Sequence, residues 1–370
     1  MRRLKALIIK EFLQIVRDPS SILISIVLPL LLLFIYGYGV SLDADHVRIG
    51  LVMEDAAPDA QSFAKALTDS PYFDVTVARD RRVFERAITS GAIRGFVVIP
   101  AYFSSFRLRP DHIAPLQVIT DGSEPNTATF VYNYVQGAWL NWLQQEKISS
   151  NLKGLPLIGV QSRFWYNEEL ESRKFLIPGS LAIIMTLIGT LLTALVVSRE
   201  WERGTMEALM STPVTVSELI AGKLISYFIL GVCSMAMCVF ISSFVYGIPI
   251  RGSLFALALV SGVFLVAALA LGLLISTIAR SQLVAAQASM VLGFLPAFIL
   301  SGFIFEIASM PLIIQAITTV LPARYFVTTL KTIFLVGDVW SLILINLIPM
   351  IIMGMLLLAI TAKKTIKRLD

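Results

Sequence analysis

Six stretches of about 20 mostly apolar residues run through this 370-residue chain, at about 20–40, 176–197, 218–246, 254–278, 284–304 and 339–361. A helix crossing the ~30 Å hydrocarbon core of a bilayer needs ~20 such residues. Lipid leaves backbone groups no partner outside a helix or a closed barrel. The pattern predicts an α-helical integral membrane protein with six crossings. Composition agrees: 15% of residues are charged, against ~25% in soluble domains. Helix starts are signalled by Asp18-Pro19, by the capping box Thr215-x-x-Glu218 and by Asp338, placed to cap the sixth span. The apolar piece Ile307 to Val320 is 14 residues long and is interrupted by Pro311. It reads as a re-entrant or interfacial segment spanning 305–320.

Lysines and arginines near the spans divide 12 to 3 between the two sides, with both termini on the richer side. That predicts a multi-pass membrane protein with cytoplasmic N- and C-termini. No small-residue cleavage site follows the first apolar run, so it reads as an uncleaved signal-anchor (18–40). Residues 41–175 then fall outside the cytoplasm. They hold 14 Lys+Arg and 16 Asp+Glu, net −2, while the rest of the chain carries +7. A basic balance confined to the membrane part points to the lipid surface, not to nucleic acid. Strand-like runs at 47–53, 74–78, 95–99 and 116–120 alternate with helix-like runs at 60–67 and 81–89. This predicts an α/β extracytoplasmic domain inserted between the first two spans. A long helix follows from Pro125 to about Lys153. Residues 176–361 hold the other five spans, and 362–370 form a basic cytoplasmic tail.

What the chain lacks narrows its function. No Asp, Glu or His lies well inside a span, so ion-coupled transport, which binds its ion at membrane depth, is disfavoured. Gly222-Lys223-Leu224 is the nearest approach to a phosphate loop. Leu stands where a hydroxyl should hold magnesium, and Ser217 where the first glycine belongs. Neither Gly-x-Ser-x-Gly nor His-Glu-x-x-His occurs. Catalytic, cofactor and metal residues are therefore expected to be absent. Cys233 and Cys238 lie in one apolar run and read as packing residues, and His46 and His112 lie far apart. A second alternative is a membrane sensor or scaffold whose 41–175 domain binds a ligand.

The loop after the second span contains Arg199, Glu200, Trp201, Glu202, Arg203, Gly204, Thr205, Met206 and Glu207. Read as one helix over 199–212, it gathers Trp201, Thr205 and Leu209, with Met206 and Met210 alongside, into an apolar face. Such a helix suits either a groove on a partner protein or the membrane interface. Leu4, Ile8, Phe12 and Ile15 form a stripe on a basic amphipathic helix over 1–17, which reads as an interfacial helix. Gly262, Gly272, Gly293 and Gly354 read as close helix contacts. Tyr36, Tyr38 and Trp340 read as interface anchors. Glu306 and Arg324 flank the re-entrant piece as a possible gate or as headgroup residues.

Glu200 to Glu207 resembles the coupling-helix signature of the bacterial ABC-2 type permeases, the membrane subunits of type V ABC exporters. Leu321-Pro322-Ala323-Arg324-Tyr325-Phe326 is similar to that family's Asn-Pro-x-Arg-Tyr-Phe run, with Leu321 in the Asn position. The end of the first span (Phe34 to Gly39), Asp121 to Asn126 and Ser301 to Phe305 resemble its multidrug-exporter branch. The resemblance covers essentially the whole chain. It implies a non-catalytic permease with 199–207 coupled to a separate ATPase subunit, which carries the ATP and magnesium, and with 1–17 as a connecting helix. It further implies a second permease, as a homodimer or a related paralogue, and allows a periplasmic adaptor and an outer-membrane channel as further partners. Export of a drug or other amphipathic compound is the activity it implies.

Overall fold

The computed structural model describes residues 2–39, 46–107, 116–121, 125–149 and 171–365. In chain order its elements are α1 (Arg2–Arg17), α2 (Pro19–Gly39), β1 (Val47–Met53), α3 (Pro58–Thr68), β2 (Phe73–Ala78), α4 (Arg81–Thr89), β3 (Gly95–Ile99), α5 (Phe103–Arg107), β4 (Gln117–Thr120) and α6 (Pro125–Ser149). The second half contains α7 (Ser172–Glu202), α8 (Thr205–Met210), α9 (Val216–Phe244), α10 (Leu254–Ala279), α11 (Gln282–Leu300), α12 (Leu312–Thr318), α13 (Pro322–Leu335) and α14 (Trp340–Lys364). Six of these, α2, α7, α9, α10, α11 and α14, are long and apolar enough to cross a membrane. Contacts divide the chain into one unit of residues 1–41 with 163–370 and another of 42–162.

In the helical unit, the starts follow local chemistry. Asp18 accepts a bond from the Ser21 N–H with Pro19 in the first turn, and Thr215 and Glu218 form a reciprocal capping box. Asp338 departs from expectation. Its Oδ1 accepts from the Ser253 N–H at 2.9 Å and supports the start of α10, while α14 begins at Trp340 behind Val339, which supplies no side-chain cap. The spans α2 and α11 contain π-helical turns at Leu23–Val27, Ile35–Gly39 and Met290–Phe294. The first and third lie just before a proline, Pro29 or Pro296, whose missing N–H removes a regular helix bond.

Helix α7 is the hub of this unit: 89% of its apolar window is buried, against 22% in α11 and in α14. Lipid supplies no hydrophobic drive for helix association, so close approach and hydrogen bonds must hold the spans together. Thr193 Oγ1 lies 2.9 Å from both its own Gly189 carbonyl and the Leu269 carbonyl of α10. Ser276 Oγ accepts from the Val197 and Ser198 N–H groups at 3.0 and 2.9 Å. Gly272 leaves room for this contact, because a Cβ there would run into Thr193 Oγ1 and the Thr190 carbonyl. Gly293 faces the Thr190 side chain from α11, and Gly354 of α14 faces Ala267. Gly272→Ala is expected to destabilise the solubilised protein by about 1–3 kcal/mol, visible as a lowered melting temperature. Gly137→Ala, inside α6 with nothing within 4 Å of the added atom, should melt no lower than the parent, since alanine is the better helix former.

The segment 305–320 does not form one helix. Ile307–Ser309 is a 3₁₀ turn, and α12 meets α13 at 84°. With seven residues, α12 is too short to cross a bilayer.

The smaller unit is a four-stranded sheet in the order β2-β1-β3-β4, with β1 parallel to β2 and β3, and β4 antiparallel to β3. All five residues of β3 are buried, because the sheet is covered on both faces. Val97 and Ile99 meet Phe63 of α3 and Val131, Val135 and Trp142 of α6. Phe96 and Val98 meet Phe84 of α4. Of the sequence-based readings, His112, residues 122–124 of the Asp121 to Asn126 run, the end of the long helix at 150–153 and residues 366–370 of the tail lie outside the described residues.

Candidate functional site

The stretch 199–212 is two helices, not one. α7 runs on through Glu202, Gly204 takes φ +69°, and α8 begins at Thr205. That left-handed backbone costs glycine nothing and other residues ~1–2 kcal/mol. The break ends the single helix, but Trp201, Met206 and Leu209 still gather in one apolar cluster with Val197 and Leu273, while Thr205 is exposed. Met206 is 1% exposed and packs against Val197 of α7 and Leu273 of α10. Trp201 is half-buried beneath the Arg280 guanidinium, 4.8 Å from its ring centre. The Met210 side chain is not among those described. Within 199–207 the residues left exposed are Glu202, Arg203, Gly204, Thr205 and Glu207.

Arg199 and Glu200, expected on a solvent-facing dock, are buried. Glu200 belongs to a four-membered charge cluster between α7, α9 and α1. Its Oε1 lies 2.6 Å from Lys10 Nζ and its Oε2 2.7 Å from Lys223 Nζ, the second pair lying off the line of a good hydrogen bond. Glu11 Oε1 sits 3.1 Å from Lys223 Nζ and 2.9 Å from Lys10 Nζ. Glu11, Glu200 and Lys223 are exposed by 1%, 2% and 2%, so this is a buried cluster of zero net charge, open only at Lys10. Burial alone would raise the Glu11 carboxyl above its ordinary range. The facing lysines, Lys223 and Lys10, outweigh burial and hold it below.

Arg199 forms a second knot. It pairs with Asp18 at the head of α2, donates to Ser20 Oγ at 3.1 Å, and donates from Nε to Gln282 Oε1 at 3.3 Å. Burial pushes the Asp18 carboxyl up, but bonds from Ser21, Ser20 and Arg199, with the Arg199 charge, hold it well below the usual carboxylate range. The Gln282 side chain turns back onto Glu202, whose Oε1 also accepts the Gln282 N–H at 2.7 Å. Arg199 to Glu202 is thus fastened to α1, the start of α2, the start of α9, the end of α10 and the start of α11. The exposed residues of the loop project from this anchored base.

Of the α1 stripe Leu4-Ile8-Phe12-Ile15, Ile15 is buried, Leu4 and Ile8 are half-buried and Phe12 is exposed. The inward face of the helix is Leu7, Glu11 and Ile15, while Ile9, Phe12, Leu13 and Val16 are exposed. Gly222 seats it, a Cβ there falling 3.1 Å from Leu7 Cβ. Ser226 Oγ, bonded to the Gly222 carbonyl, also reaches the Ile8 carbonyl at 3.4 Å. Gly222-Lys223, which resembles the end of a phosphate loop, is therefore the floor and counter-ion of an α-helix contact. Glu11, Asp18, Lys10, Lys223 and Gln282 were not singled out from sequence as partners of the 199–207 motif. One signal was present: an acidic residue with apolar residues four positions away on either side, and a lysine just inside an apolar span.

Glu306 and Arg324 do not meet. Glu306 is exposed. Arg324 Nη1 donates to Thr318 Oγ1 at 2.6 Å and to the Gln315 carbonyl at 3.3 Å, and Tyr325 Oη donates to the Thr319 carbonyl at 2.9 Å. These bonds satisfy the end of α12 and set the bend into α13.

A family model described as ABC-2 family transporter protein matches residues 19–363. The chain is 49% identical over 369 residues to the probable multidrug ABC transporter permease YbhS of Escherichia coli, covering 100% of this chain and 98% of that one. It is 30% identical over 259 residues to the probable multidrug ABC transporter permease YbhR of the same organism, 68% of each chain. The linearmycin resistance permease protein LnrN of Bacillus subtilis is 22% identical over 285 residues, 70% of this chain and 73% of that one. No solved structure matches the chain.

Proposed function

Because the chain belongs to the ABC-2 family of transporter proteins, we propose that it is the membrane subunit of an ATP-driven exporter, coupled through residues 199–207 to a separate ATPase subunit. It lies in a bacterial inner membrane with both termini in the cytoplasm and residues 41–175 outside it. Its substrate is a drug or another amphipathic compound, and its path is completed by a second permease, either another copy or a paralogue of the YbhR kind.

The observation that carries this reading is the anchored loop. A push on Glu202 to Glu207 is transmitted at once to α1 and to four neighbouring spans, because Arg199, Glu200, Trp201 and Glu202 tie α7 to α2, α9, α10 and α11. A rigid connection of this kind suits a lever, since packed elements shift as bodies between discrete arrangements. We read residues 305–320, which include Glu306, together with Arg324 as the part of the path that lines or gates the exit.

An ion-coupled mechanism would need carboxylates free to exchange an ion at depth. Among the described residues the buried carboxylates are Glu11 and Glu200, and both are held by lysines at one end of the bundle. Transport into inverted vesicles containing the permease and its ATPase partner should continue when proton and sodium gradients are collapsed and ATP is supplied. The purified chain alone should hydrolyse no ATP. Flux that follows an ion gradient, or turnover by the lone chain, would sink the reading.

A further inference from the structure

The smaller unit holds a groove of about 560 Å³ between α6 and the turn from α3 to β2, within the ~300–1,000 Å³ typical of small-molecule sites. One wall is a single line along α6, where Asn133, Gly137, Asn141 and Gln145 recur every fourth residue, each step about one helical turn and ~6 Å. The facing wall runs from Asp69 to Tyr72. Trp142 lies between them, 3% exposed and fixed by the bond from its Nε1–H to Ser62 Oγ at 3.0 Å.

Gly137 is not explained by the packing of the chain itself. Glycine in a helix interior costs ~1 kcal/mol relative to alanine. Gly272, Gly293 and Gly354 each make room for a close neighbour, whereas among the described residues nothing lies within 4 Å of a Cβ added to Gly137. The room it leaves belongs to the groove. The amides beside it are also uncommitted: among the described residues, the side chains of Asn133, Asn141 and Gln145 are exposed and make no hydrogen bond to the chain. Each carboxamide both donates and accepts. The Tyr72 ring stacks on Tyr134 at 4.8 Å, 18° from parallel, and Tyr134 meets Phe73 edge-on at 6.1 Å. With Tyr72 47% exposed, this shelf sets an accessible aromatic ring opposite the row of amides.

Among the described residues lining the groove, Asp69 carries the one charge, so a phosphate or carboxylate would meet a like charge and no counter-ion. An extended peptide draws its affinity from side chains enclosed in well-packed pockets, and the open floor at Gly137 encloses none. A pyranose ring matches both walls, since its hydroxyls donate and accept as the carboxamides do and its C–H face lies flat on an aromatic ring. We infer that this groove binds a short, uncharged saccharide. Asn133, Asn141, Gln145 and Asp69 bond its hydroxyls, Tyr72 stacks on one ring, and Gly137 lets the sugar approach the helix closely. The site is confined to the smaller unit and does not depend on the 199–207 loop or on ATP, so its test stands apart from the export reading.

The test uses the full chain in lipid nanodiscs free of glycoside detergent, titrated with cellotriose, with tri-N-acetylchitotriose and with the peptide tetra-alanine, and read by saturation-transfer NMR. Saturable binding of at least one saccharide is expected, with a dissociation constant of about 1 mM or tighter, and none of the peptide. Gly137→Leu fills the floor from a position with open space around it and places a good helix former there. It should abolish saturable binding while melting no lower than the parent. Tyr72→Ala and Asn141→Ala should each weaken binding roughly three- to tenfold, the loss of one aromatic contact or one ordinary hydrogen bond, with melting temperature as the folding check. No saturable binding of either saccharide, or binding that Gly137→Leu leaves intact, would overturn the site. Binding of tetra-alanine in place of the saccharides would overturn the ligand class in favour of a peptide.

Discussion

Lys223→Met will yield a protein that melts far below the parent, by about 3–5 kcal/mol of lost stability, although methionine is the better residue for an apolar span by composition. The substitution leaves Glu11 and Glu200, each at most 2% exposed, facing one remaining lysine. Two carboxylates then share a buried site with a single, half-exposed counter-ion. Adding Glu11→Gln restores neutrality, with Lys10 and Glu200 still 2.6 Å apart, so the double variant should recover a large part of the loss. Lys10→Met alone should cost less, since Lys10 is 41% exposed at its side chain and water already shares its charge. Melting temperatures in detergent, read with amounts recovered from membranes, measure all three. If Lys223→Met melts like the parent, or the double variant is no better than the single, the cluster does not hold α1 in place.

The same cluster marks the boundary of what the sequence made legible. Spans declare themselves because a crossing helix must be apolar over ~20 residues, and caps such as Asp18 and Thr215 act on their own next turn. Those features are local. Glu11 and Lys223 are 212 positions apart, and nothing local says that a charged residue near a span's end faces another element and not water. Apolar spacing on α1 picks out Leu4, Ile8, Phe12 and Ile15, of which Ile15 is buried, but it cannot place Glu11 inside beside Leu7. Asp338 was assigned to the helix it precedes, α14, when it serves α10. Gly204 misled in the opposite direction: a pattern that continues across a glycine looks like one helix, yet a single φ of +69° turns the second half back on the first. The strands of the smaller unit, bounded by turn residues and alternating with helices, were legible. Their order was not, since parallel neighbours are joined through crossovers and not through hairpins.

Burial adds a ranking by stability to the ranking by assembly that the residue types suggest. From sequence, Trp201 is the large anchor of the 199–207 motif and Arg199 a rim charge, so Trp201→Ala should impair ATPase association or transport more than Arg199→Ala. The structure places Arg199 in a buried knot with Asp18, Ser20 and Gln282, and Trp201 half-buried under Arg280. Arg199→Ala should therefore lower the melting temperature more than Trp201→Ala, because it strips a partly buried carboxylate of its partner. If the loop is the seat of an ATPase, the opposite signature belongs to its exposed tip. Arg203→Glu combined with Glu207→Arg, both at exposed positions, should leave melting unchanged. Against a complementary surface, like charges cost several kcal/mol, so recovery of the complex should fall by ~100-fold in affinity. Thermal melting and pull-down of the co-expressed ATPase, run on the same preparations, separate the two effects. Intact assembly in the tip variant would move the dock away from Glu202 to Glu207 and leave the buried knot as the motif's whole purpose.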